Sequence, residues 1–221
     1  MSRIVITGAN RGIGLELCSY FSRQGHEVYA ACRKASPALV QLEKVTVVEG
    51  IDVSRDGGVD NLREALTGKT VDILINNAGV LISDSFGDLA YEDIRLQFEV
   101  NAVGPLRVTE ALSANLQAGA KVAMITSRMG SIADNTSGGL YGYRMSKAAL
   151  NAAGVSLARD LAQRGIAVAL LHPGFVQTEM VDFAGDISPA IAAERLAARI
   201  DELTLENSGS FWHSNGEQLP W

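Results

Sequence analysis

Short apolar runs alternate with longer segments whose apolar residues recur every three or four positions, and this alternation persists along the whole chain. Arg3 to Thr7 reads as a strand, followed by a helix with Ile13, Leu15, Leu17, Tyr20 and Phe21 apolar and Gly25 at its end. Further strands are predicted at Glu27 to Cys32, Val45 to Val48, Val71 to Ile75, Lys121 to Thr126 and Ile166 to Leu171. Between them the pattern predicts helices from about Ser54 to Leu66, from Tyr91 to about Gln117, and from Gly142 to Arg164. The second of these is disturbed near Gly104-Pro105, since proline removes a backbone donor. A last helix opens at Ser188-Pro189 and runs to about Leu205, and the tail from Gly209 to Trp221 reads as one strand and a turn. Val71 to Ile75 is almost wholly apolar, as a strand covered on both faces would be. The sum is an α/β fold with a parallel sheet of about seven strands and helices on both faces.

With 221 residues and no repeat or linker, one domain over 1–221 is expected. The formal charge of −6 carries no basic footprint, which sets nucleic-acid binding aside. No run approaches the roughly 20 apolar residues of a membrane span. The first residues enter a strand pattern at once, with no charged leader before an apolar stretch, so no signal peptide is expected. Cys18 and Cys32 lack metal-ligand or C-x-x-C spacing, and His26, His172 and His213 show no ligand spacing, so no metal is assigned. A reducing cytoplasm fits these features.

The candidate chemistry sits at the strand ends. Thr7-Gly8-Ala9-Asn10-Arg11-Gly12-Ile13-Gly14 lies between a strand and a helix, where glycines admit a pyrophosphate and helix N–H groups bind it. After the second strand, where an acidic residue would grip a ribose, stand Arg33 and Lys34, which suit a 2′-phosphate. Arg11 adds another guanidinium, and together they favour NADP(H), with NAD(H) still possible. Asn76-Asn77-Ala78-Gly79 is either a plain turn or a ligand-lining one. Asn101, just before the Gly104-Pro105 disturbance, either mends freed backbone groups or holds a water. Ser127 ends a strand at the sheet's carboxyl edge. Tyr143 and Lys147 are four residues apart and share a helix face, so the ammonium is expected to lower the phenol pKa.

These motifs, in this order, resemble the short-chain dehydrogenase/reductase family, and the ending from Gly209 to Trp221 is similar to its C-factor and sniffer-type carbonyl reductases. The resemblance rests on Thr7-Gly8-x3-Gly12-Ile13-Gly14, Asn76 to Gly79, Asn101, Ser127, Tyr143-x3-Lys147 and Pro173-Gly174-x3-Thr178. It implies a single Rossmann-type doubly wound domain that reduces an aldehyde or ketone, reversibly, with a nicotinamide cofactor. It implies that Tyr143 is the general acid, that Lys147 lowers its pKa and holds the ribose, that Ser127 holds the carbonyl oxygen and that Asn101 positions a water. Gly8, Asn10, Arg11, Gly12, Ile13 and Gly14 would take the pyrophosphate and Arg33 the 2′-phosphate, assisted by Arg11 or Lys34. Asp52 and Val53 would frame the adenine, Asn77, Ala78 and Gly79 line the adenosine side, and Pro173, Gly174, Val176 and Thr178 lie by the carboxamide. Ser127 stands sixteen residues before Tyr143, a longer gap than is usual in the family, and Ser131, twelve before, is a rival. A homodimer or homotetramer is implied through the helices beginning near Tyr91 and Gly142. A nucleotide-binding sensor of the same fold with little turnover is the competing class.

Overall fold

A computed structural model describes all residues from Met1 to Trp221. Seven strands form one sheet, ordered β3-β2-β1-β4-β5-β6-β7, with every neighbouring pair parallel. They are β1 (Arg3–Thr7), β2 (Glu27–Ala31), β3 (Val45–Val48), β4 (Val71–Asn76), β5 (Leu116–Ile125), β6 (Ala167–His172) and β7 (Phe211–His213). The order reverses between β1 and β4, so a crevice opens beyond their carboxyl ends.

Successive residues of the strands point to opposite faces, and each face carries its own core. Ile4, Ile6, Ile73, Ile75, Ala123 and Ile125 pack beneath α1 (Gly12–Arg23), the short α2 (Pro37–Val40) and α7 (Pro189–Asp201). Val5, Leu74, Val122, Met124 and Val168 face α3 (Asp60–Ala65), α5 (Gly104–Ala111) and α6 (Tyr141–Ala162). No helix is long and apolar enough to cross a membrane.

The helices differ from the expected pattern in three places. The helix expected from Ser54 begins only at Asp60, because the Asp52 carboxylate accepts from both the backbone N–H and the hydroxyl of Ser54. The Asp52 N–H bonds to Gly58 O at 2.9 Å, so 52–58 folds as a closed turn instead. The long helix expected from Tyr91 to Gln117 is α4 (Tyr91–Phe98), a π-helical turn (Glu99–Val103) and α5. Pro105 has no N–H to give the carbonyl four residues back, and the widened turn precedes it. Strand β5 then starts at Leu116, five residues earlier than expected, with an irregular register against β4 between Val71 and Ile73. The last helix ends at Asp201 rather than Leu205.

Candidate active site at the carboxyl edge of the sheet

The glycine turn follows β1 and leads directly into α1. A Cβ on Gly8, whose φ is +65°, would lie 2.8 Å from Ala78 Cα, and one on Gly14 would lie 2.3 Å from Gly8 O. Both positions therefore exclude any side chain. Arg11 precedes α1 in an extended conformation and makes no side-chain cap. The amide groups that open α1, beside Asn10, Gly12 and Ile13, thus offer an anion the uncapped end of a helix.

Asn77 is bound to this turn: its Nδ2 donates to Thr7 O at 3.0 Å and to Gly8 O at 3.3 Å. Thr7 Oγ1 accepts from the N–H groups of Asn77 and Ala78, joining the ends of β1 and β4. Gly79 comes next, with Asn101 and Lys147 beside it. Asn101 lies in the π turn, and its side chain clasps one residue. Its Oδ1 accepts from Val80 N–H and its Nδ2 donates to Val80 O, both at 2.8 Å, while Nδ2 also donates to Ser146 Oγ at 3.0 Å. These bonds tie the π turn to the segment after β4 and to α6, and none of them goes to the helix backbone freed at Pro105.

Arg33 and Lys34 are exposed just past β2, and neither forms an ion pair. The Ser54 hydroxyl, with help from Arg55 and Arg33, holds the Asp52 carboxyl below its usual range. Val53 is buried against Gly104, and its carbonyl accepts from Arg107. The exposed guanidinium of Arg11 pairs with Glu179 and so ties the glycine turn to the segment after β6. In that segment Pro173 O accepts from Ser214 Oγ, and Gly174 takes φ +100°. Val176 bridges to Ile187, and the Thr178 side chain lies against Gly12.

Helix α6 carries Tyr143 and Lys147, both buried. The Ser127 side chain lies beside the phenol and pulls its pKa down a little, while its Oγ accepts from Met129 N–H. Ser131, its rival, instead spends its Oγ on the Asp134 N–H at 3.1 Å. Lys147 Nζ donates to Ile125 O at 2.9 Å and sits 5.7 Å from the centre of the Tyr143 ring. The expected fall in the phenol pKa is not what this arrangement produces. Burial pushes Tyr143 up to about 12, outweighing the Ser127 contact, and the same burial pushes Lys147 down to about 8. Spacing alone could not show this, because both groups leave water together and desolvation disfavours the charged form of each. The phenol is therefore protonated at neutral pH.

Residues 2–186 match the short chain dehydrogenase family. The chain belongs to that family. Among similar proteins is the 1-hydroxy-2-glutathionyl-2-methyl-3-butene dehydrogenase of Rhodococcus sp. (strain AD45), 43% identical over 227 residues and 100% of both chains. The C-signal protein of Myxococcus xanthus is 47% identical over 154 residues, 68% of this chain and 93% of its own. Solved structures of the same fold include the carbonyl reductase Sniffer of D. melanogaster, with a TM-score of 0.93 and 28% identity over 100% of both chains. An NADPH-bound carbonyl reductase from chicken fatty liver has a TM-score of 0.89 and 26% identity, covering 100% of this chain and 99% of its own.

Against the family's motifs, the geometry brings Ser127, Tyr143, Lys147 and the Asn77–Gly79 turn to one edge of the sheet. The closed cradle at Gly8 and Gly14 and the uncapped start of α1 fit the pyrophosphate of a dinucleotide. Several residues at this edge escaped the sequence reading. Glu179 and Ser146 carry no local signature, since their partners are 168 and 45 residues away. Asp84 is a third: its carboxylate accepts from the Tyr141 and Gly142 N–H groups at the start of α6. His172, at the end of β6, packs edge-on against His213 at 4.8 Å, and burial takes its pKa down to about 3.

Proposed function

We propose that this chain is an NADP(H)-dependent oxidoreductase that reduces an aldehyde or ketone to an alcohol, with residues 1–221 acting as one domain. The observation that carries the reading is a buried, protonated Tyr143 phenol beside Ser127, with Lys147 one helical turn further on. A nicotinamide cofactor held at this edge would supply the hydride for the carbonyl carbon. Tyr143 gives its proton to the carbonyl oxygen, and Ser127 holds that oxygen in line with the phenol. Lys147, anchored on Ile125 O, has N–H groups left over with which it would hold the ribose. Asn101 acts by fixing Val80, in the backbone that borders this edge.

Gly8, Asn10, Gly12, Ile13 and Gly14 would hold the pyrophosphate, while Asp52, Val53, Asn77 and Ala78 would line the adenosine side. Pro173, Gly174, Val176 and Thr178 would border the carboxamide. Two unpaired, exposed cations after β2 support NADP(H) over NAD(H), with Arg33 as the main contact to a 2′-phosphate and Lys34 assisting. The likeness to an NADPH-bound reductase supports the same choice. That the Rhodococcus relative is a dehydrogenase supports a site that also runs from alcohol to carbonyl.

Exposed Leu96, Phe98, Leu106 and Met145 on α4, α5 and α6 support a homodimer or homotetramer, which light scattering would measure. Two buried free cysteines support a reducing, cytoplasmic setting. Following NADPH absorbance against a panel of aldehydes and ketones tests the activity, and turnover on none of them contradicts it. A second reading, a nucleotide-binding signalling protein with little turnover, draws on the C-signal likeness. NADPH binding without turnover on the whole panel would favour it.

A further inference from the structure

The helix that carries Tyr143 and Lys147 cannot cap itself. The residue before it, Leu140, has no side-chain acceptor and sits at φ +50°, after Gly138 and Gly139 at φ +65° and +66°. The orphan N–H groups of its first turn are met from elsewhere in the chain. Both oxygens of the Asp84 carboxylate take part: Oδ1 accepts from Tyr141 N–H, and Oδ2 accepts from Gly142 N–H at 2.8 Å. The Asp84 carbonyl accepts from Leu140 N–H as well. A carboxylate at a helix N-terminus also opposes the positive end of the helix dipole.

Asp84 is itself held in place by its neighbours. Alternate residues of the segment leaving β4 are anchored in turn: Val80 by Asn101, Ile82 N–H by Gln97 Oε1 at 3.0 Å, and Asp84 by α6. The start of α6 fits the socket these residues form, since a Cβ on Gly142 would lie 2.5 Å from Gln97 Nε2 and 3.1 Å from Asp84 Oδ2. Beyond the anchor, Phe86 lies across the Tyr141 ring with centroids 6.4 Å apart. Tyr143 is the third residue of the helix, so its height over the sheet edge is set by the first turn. Lys147 lies in the second turn and has its own anchor on Ile125 O.

We propose that Asp84 is a positioning residue for Tyr143: capping α6 from the β4–α4 segment, it holds the phenol beside Ser127 and makes that segment part of the catalytic geometry. This assignment rests on reading Tyr143 as the proton donor. Losing the cap frays the first turn and displaces the phenol while leaving the glycine cradle and Lys147 in place. A displacement of about 1 Å can cost about 100-fold in rate.

The test compares Asp84→Ala, Asp84→Asn and Tyr143→Phe with the parent, measuring kcat and KM for a carbonyl substrate, NADPH affinity, and hydrogen exchange at the Tyr141 and Gly142 amides. Asp84→Ala is expected to lower kcat by about 10- to 100-fold, with NADPH affinity unchanged and both amides exchanging faster. Asp84→Asn, which keeps one acceptor oxygen, is expected to recover a large part of kcat. Unchanged kcat in Asp84→Ala, or a loss matched by equal loss of NADPH affinity, overturns the assignment. So does faster exchange without a kcat effect. If Tyr143→Phe keeps the parent rate, the proton-donor reading falls and this proposal with it. A dead Tyr143→Phe beside an unaffected Asp84→Ala overturns the Asp84 role alone.

Discussion

Thr7 and Asn77 are bound to each other through two hydrogen bonds: Thr7 Oγ1 accepts from the Asn77 N–H, and Asn77 Nδ2 donates to Thr7 O, each at 3.0 Å. The pair closes the gap between β1 and β4, where the strand order reverses. Thr7 is buried, so its hydroxyl satisfies donors that water cannot reach.

Thr7→Val keeps the shape and removes the acceptor. The Ala78 N–H then loses its partner, whereas the Asn77 N–H retains a second bond to Ile75 O. The variant should lose about 1–3 kcal/mol of stability in urea unfolding. Thr7→Ser, which keeps the oxygen, should lose clearly less. Equal stability of Thr7→Val and the parent would show that the hydroxyl is dispensable.

The exposed cations after β2 lead to a cofactor prediction. Arg33→Ala should raise KM for NADPH by about 10-fold or more, the worth of one charge-assisted hydrogen bond, and leave KM for NADH nearly unchanged. The double change Arg33→Ala with Lys34→Ala should go further in the same direction. An unaltered NADPH/NADH ratio in both variants would place the 2′-phosphate elsewhere.

Much of this fold could be read from the chain because its strands are short apolar runs that stop at small or polar residues. Thr7-Gly8, Asn76-Asn77 and Ser127 all emerged at the carboxyl edge for that reason. The interrupted helix was harder. Its disturbance at Gly104-Pro105 was visible, but Leu116-Gln117-Ala118-Gly119-Ala120 has no strand periodicity, and its extended form depends on pairing with β4 and on Gly119 N–H bonding to Gly165 O. Likewise, the turn from Asp52 to Gly58 is built from one carboxylate choosing its nearest backbone, which outcompetes a weak helical pattern. At the site, residue types were legible and partners were not: Arg11 turns to Glu179, and Asp84 caps a helix that begins 57 residues later. The direction of the Tyr143 pKa was hidden too, since it depends on burial that spacing does not encode.

Burial of His172 makes stability depend on pH. Its pKa falls from 6.5 to about 3 on folding, through burial first and then the neighbouring His213, Arg128 and Lys147. The unfolded chain therefore binds the proton more readily between these values. Stability is intact above pH 6.5 and is lost as pH falls towards 3, by about 1–2 kcal/mol between pH 6.5 and 5 from this group alone. Urea titrations at the two pH values should show a smaller drop in His172→Leu than in the parent. Parallel drops in the two proteins would mean that His172 does not control the slope.

Whether the Tyr143 phenol supplies the proton can be read from a single comparison. Parent and Tyr143→Phe are each saturated with NADPH, mixed with an aldehyde that the parent reduces, and followed by loss of NADPH absorbance. Tyr143→Phe should bind NADPH like the parent and turn over at least about 100-fold more slowly, the usual worth of a positioned proton donor. Equal turnover in the two proteins would contradict it.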